Sequence, residues 1–211
     1  MLVIQGCGSP YLFGPIKYGS SDHLEYKDRT RGGLGGEAAG VLYDRGTESI
    51  IVGWEHFYDG SSDRIHNHIY RGAVKFNVGL LSEPPKKTII KSTLNYSVQS
   101  GSVIPSTDFI LSCATKLYSG KDEWHGIPEL APEKAPDTIA GDFIKALPAD
   151  PLGAKVSIDV TNLVKDWVSA KKTNHGFVFG ATTEKTGLMK NNDQCWTLLG
   201  DFTLKVDYTQ P

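Results

Sequence analysis

Apolar and polar residues alternate with period two along much of this chain. Val156-Ser157-Ile158-Asp159-Val160 and Phe202-Thr203-Leu204-Lys205-Val206-Asp207-Tyr208 both place every second side chain on one apolar face, the pattern of a half-buried β-strand. Residues 49–54, 69–78, 86–98, 109–118 and 177–179 predict further strands on the same grounds. One stretch changes period: Leu163, Val164 and Trp167 recur at helical spacing, which predicts a short amphipathic helix over 163–170 with Trp167 on its buried stripe.

Between these elements lie turn residues. Residues 1–40 are rich in Gly and Pro, and Gly32-Gly33-Leu34-Gly35-Gly36 reads as a loop or bulge, because no preceding strand, following helix or Lys-Ser/Thr pair makes it a phosphate cradle. Residues 120–151 hold Pro128, Pro132, Pro136, Pro148 and Pro151. This predicts a long excursion, with a short helical turn over 142–146, and long loops of this kind often carry function. No repeat is visible, so the many short strands favour one all-β domain over 1–211, an antiparallel β-sandwich of jelly-roll type with one short helix.

The order of motifs in the last quarter, Asp159-Val160-Thr161, Val164-Lys165-Asp166-Trp167, Asn174-His175-Gly176, the apolar run from Phe177 to Phe179 and the closing Leu204-Lys205-Val206-Asp207-Tyr208, resembles the DNRLRE-type domain, close to alginate-binding carbohydrate-binding modules. Arg71, Phe76-Asn77-Val78, Thr88-Ile89-Ile90 and Ser92-Thr93-Leu94-Asn95-Tyr96 match a second block of that family, with Asn77 where the family often has Asp. The resemblance covers about half the chain. It implies a jelly-roll sandwich that binds a polysaccharide, acidic sugars included, without turnover.

A net charge of −2 and a pI near 6.3 give no uniform attraction to nucleic acid or to an anionic membrane. No apolar run approaches the ~20 residues of a membrane span. The opening Met1-Leu2-Val3-Ile4-Gln5 is short and uncharged for a secretory signal. Two readings stay open, a signal-less protein or one whose signal was removed; the second would place it outside the cell or on its surface. Cys7, Cys113 and Cys195 are odd in number and lack C-x-x-C spacing, which argues against a disulfide framework or structural zinc. Cys113 and Cys195 read first as small buried hydrophobes, with one disulfide plus a free thiol as the alternative.

Candidate binding residues fall in two clusters. Trp54, His56, Phe57 and Tyr58 are the densest aromatic group, and an aromatic ring suits the apolar C–H face of a sugar; a Trp in a strand is equally a core residue. Trp124, flanked by Lys121-Asp122-Glu123 and His125-Gly126 and preceded by Tyr118, is a loop candidate for the same task. Arg64, Lys116 and Lys121 stand beside these aromatics and could engage a uronate carboxylate. The expected ligand-binding set is therefore Trp54, His56, Tyr58, Arg64, Tyr118, Lys121 and Trp124.

His66 and His68, at i and i+2, could hold a transition metal, but without a specified third ligand a solvated strand edge is the plainer reading. Ca²⁺ would need a loop such as 59–63 or 191–193, both ordinary turn chemistry, so no cofactor is expected. No nucleophile elbow, H-E-x-x-H helix or P-loop occurs, and a lyase on this fold would turn to His66 or His68 with Tyr70 and Arg71. The expected partner is a polysaccharide or cell-surface glycan, with no nucleic acid. The rival readings are a toxin-like or cell-surface interaction protein, a jelly-roll polysaccharide lyase and a structural spacer. The Asn95-Tyr96-Ser97 acceptor sequence sits in an expected strand and reads as coincidence.

Overall fold

The computed structural model describes residues 10–28, 33–43, 49–61, 64–85, 87–104, 112–121, 141–184 and 193–210, with the side chains of 17–28, 33–43, 59, 64, 65 and 104 excepted. The described chain is mostly strand. In order they are β1 (Tyr11–Phe13), β2 (Pro15–Asp28), β3 (Gly33–Tyr43), β4 (Ile50–Asp59), β5 (Arg64–Phe76), β6 (Thr88–Ile104), β7 (Thr115–Gly120), β8 (Gly141–Leu147), β9 (Lys155–Asp159), helix α1 (Thr161–Val168), β10 (Phe177–Ala181) and β11 (Asp193–Thr209). A 3-10 turn, Gly79–Leu81, follows β5.

Every pairing among these strands is antiparallel, and the sheet runs β8-β7-β10-β5-β4-β11-β6-β9. Strands β5 and β11 are long enough to change neighbours along their length. The first part of β5 pairs with β4 and its last part with β10, while β2 follows its other side. Strand β11 lies between β4 and β6 at its start and between β1 and β6 near its end. The sheet therefore curls, and residues from β6, β9 and β11 meet residues from β5, β7 and β10 in one core.

The alternation in the sequence explains what fills that core. Leu94, Tyr96 and Val98 from β6, Phe202, Leu204 and Val206 from β11, and Val74 and Phe76 from β5 are all buried. Tyr96 meets Phe179 edge to face at 5.6 Å and Phe179 lies 5.8 Å from Phe202. Helix α1 docks by Val164 and Trp167, as its spacing predicted, with the Trp167 ring 5.1 Å from Phe177. Each such aromatic removes ~150–250 Å² from water, so these contacts are the main source of stability.

Three sequence expectations are resolved here. The glycine run of residues 33–36, expected as a loop or bulge, is not a loop: Gly33–Tyr43 is a strand that pairs with β2, and a register shift leaves Gly35 as the extra residue of a bulge. Residues 142–146 do not form a helical turn but belong to strand β8, whose partner β7 supplies the backbone hydrogen bonds. Cys113 and Cys195 are not separate thiols: they form a disulfide that closes a sequence separation of 82 residues. Cys7, part of the expected 109–118 strand (109–111) and residues 122–140 of the excursion lie outside the described residues.

Candidate functional site

The β4 cluster comes first, because the sequence pointed to it. Alternation along β4 sends Trp54, His56 and Tyr58 to one side and Glu55 and Phe57 to the other. Trp54 keeps only 5% of its surface and packs with Cys113, Cys195 and Ala181. His56 is buried too, at 4%, and its Nδ1–H donates to Asn67 Oδ1 at 2.5 Å. Trp54 and His56 are interior residues here rather than the open stacking platform expected from sequence, with Trp54 packed beside the disulfide. Tyr58 is half-buried. Arg64 begins β5 opposite Asp59, its side chain outside the described set.

On the other side of β4 and β5, four rings stand in a ladder. Phe57 and His66 stack at 4.5 Å, Phe57 and His68 at 5.8 Å, and His68 and Tyr70 at 5.8 Å. The Tyr70 hydroxyl donates to Glu55 at 3.1 Å. The histidines do not mark a solvated edge, because β5 has β4 on one side and β2 on the other. Among the described residues no three His, Cys, Asp or Glu side chains assemble to hold a metal. Beyond the ladder, Arg71 makes a two-pronged ion pair with Glu184 at 2.8 and 2.6 Å, with both side chains almost wholly buried.

Among the described residues, an open groove of about 950 Å³ lies elsewhere, between β8 and helix α1. One wall is the edge of the sheet. The β7–β8 register shifts between Leu117 and Tyr118, so Ile144 is the extra residue of a bulge and Phe143 falls opposite Tyr118. Phe143 meets Tyr118 edge to face at 5.8 Å yet remains 59% exposed. The facing wall is helix α1, with Thr161, Asn162 and Asp166 lining it. That wall is anchored from below: the Thr161 N–H donates to Asp159 Oδ1 at 2.9 Å, the Thr161 hydroxyl donates to the same oxygen at 2.6 Å, and the Ser92 N–H donates to Thr161 Oγ1 at 2.9 Å.

The groove is rich in matched charge. Lys172 Nζ donates to Asp142 Oδ2 at 2.9 Å. That hydrogen bond and the lysine charge, with a smaller effect of Lys121, hold the Asp142 carboxyl below the usual carboxylate range. Asp159 is held low as well, first by the Thr161 hydroxyl, then by the Thr161 N–H, with Lys91 and Lys165 adding to it. Asp166 lies 3.4 Å from Lys171. Asp142 and Asp159 therefore stay ionised at neutral pH and accept hydrogen bonds.

None of the residues expected from sequence lines this groove; Tyr118 packs against Phe143 from behind, and Lys121 adds a small effect on Asp142. Trp124 lies outside the described residues. Phe143, Asp142, Asp159, Asn162 and Lys172 were missed. The signal that could have found Phe143 is its setting, a lone Phe between Asp142 and Ile144-Lys145 in a Pro-flanked stretch, which is hard to bury in a strand of one sandwich edge. No protein-family model matches this chain, and no curated protein sequence matches it either.

Proposed function

We propose that this chain is a non-catalytic carbohydrate-binding module of the DNRLRE kind, built as a jelly roll, which takes a polysaccharide into the groove between β8 and α1. The observation that carries this reading is Phe143, 59% exposed beside a polar groove of about 950 Å³. An exposed aromatic at the lip of a groove lined by Asp, Asn, Thr and Lys has the two elements that a pyranose needs: a face for its C–H groups and fixed polar atoms for its hydroxyls. The Tyr118 ring behind Phe143 holds that platform in place, so little rotamer entropy is lost on binding.

The Cys113–Cys195 disulfide supports a location outside the cell or on its surface, since such bonds persist in oxidising compartments. A glycan array probed with the whole chain and with Phe143→Ala tests the reading. Saccharide binding that falls about tenfold or more in the variant, equivalent to ~1.4 kcal/mol, is the expected result. Equal binding by both proteins, or none by either, would sink it.

A further inference from the structure

The groove's own residues narrow the kind of polysaccharide. Three carboxylates line it, Asp142, Asp159 and Asp166, against two ammonium groups, Lys91 and Lys172, and no arginine is among the lining residues described. Of the two lining lysines, Lys172 is already bonded to Asp142, and Lys171 beside the groove is paired with Asp166. An entering uronate carboxylate would have to compete with Asp142 for Lys172, and it would do so beside carboxylates that repel it. It would also lack the planar guanidinium that grips a carboxylate with two hydrogen bonds.

A neutral sugar meets the opposite situation. Its hydroxyls are donors as well as acceptors, and ionised carboxylates fixed by a lysine or by Thr161 are strong, preoriented acceptors for them. Asn162 and Thr161 add polar atoms on the helix side, and Phe143 supplies the apolar face. Resting on the reading of this groove as a saccharide site, we infer that it selects an uncharged, hydroxyl-rich polysaccharide over a uronate polymer.

Affinity electrophoresis of the full chain tests this, with a glucan, a mannan and a xylan as neutral probes and alginate and polygalacturonate as charged ones. Each gel is run at ~0.1 M and ~1 M salt, where the Debye length is ~10 and ~3 Å. The expected result is retardation by at least one neutral polymer that changes less than about twofold with salt and is lost in Phe143→Ala. Asp142→Asn, which removes the charge and keeps the shape, weakens the same retardation while the protein stays folded by circular dichroism. Retardation by a uronate polymer alone, abolished at the higher salt, overturns the selectivity but leaves the groove as a saccharide site. Retardation by none of the five polymers overturns the binding reading and the inference together.

Discussion

Trp54 and Phe143 are both aromatic residues on strands of the same curled sheet, and they end in opposite environments. Trp54 sits on β4, which has β5 on one side and β11 on the other, so its ring is enclosed by Cys113, Cys195 and Ala181. Phe143 sits on β8, which ends the strand order and pairs with β7, and a bulge there leaves the ring open to solvent. What separates them is the number of neighbouring strands rather than residue type. The lesson is that an aromatic cluster counts as a ligand platform only after its strand has been placed within the sheet.

The most damaging change expected on the enclosed side is Gly53→Val. Gly53 has φ +147°, a region L side chains rarely adopt, and a Cβ there would overlap the carbonyl oxygen of Cys195 on the adjacent strand. Strain of this kind together with a backbone clash costs roughly 4–5 kcal/mol or more, so the variant should unfold at a much lower urea concentration or fail to accumulate. A variant with the midpoint of the parent would mean that β4 and β11 do not approach as described.

Next in size is Trp54→Ala, which empties the space beside the disulfide and should cost about 3–5 kcal/mol. Trp54→Phe keeps most of that volume. It should retain the fold, and its affinity for any saccharide the parent binds should be unchanged; a Trp54→Phe protein that is folded but has lost binding would reverse the comparison.

Much of the enclosed side was legible in the chain itself. The alternation of β6, β9 and β11 and the helical spacing of Val164 and Trp167 report burial directly, because each follows the geometry of one element. Elements set by partners were less visible. The glycines of residues 33–36 carry no side-chain pattern, and only pairing with β2 shows that they are strand. Residues 142–146 show no two-fold alternation because a bulge interrupts it. The disulfide joins residues 82 positions apart, a proximity that sequence spacing does not encode. The groove is hidden for a related reason: Phe143 and Asp142 come from β8, Asp159 from β9 and Asn162 from α1, and only the curl of the sheet brings them together.

On the open side the effects on stability are smaller. Phe143→Ala should change the unfolding free energy by less than about 1 kcal/mol, since more than half of the ring is already in water. A large loss of stability would show that Phe143 is a structural residue and not a platform. An effect of similar size is expected from Asp159→Ala, which removes the acceptor at the start of α1 and should cost ~0.5–1 kcal/mol at neutral pH. Because folding depresses the Asp159 carboxyl below its ordinary range, its stabilisation is present above that range and is lost as pH falls through the depressed value. The gap between parent and variant should therefore close on acidification. A gap that stays constant down to acid unfolding would contradict the Thr161 contacts.

The most direct test is to map the ligand on the chain by amide chemical-shift perturbation, titrating in the polysaccharide fragment that retards the protein most. At 23.0 kDa the protein is suited to this measurement. The account predicts that the shifts concentrate on Asp142, Phe143, Thr161 and Asn162, with the Trp54 indole N–H unmoved. Shifts centred on Trp54, His56 and Tyr58, with β8 and α1 silent, would contradict it.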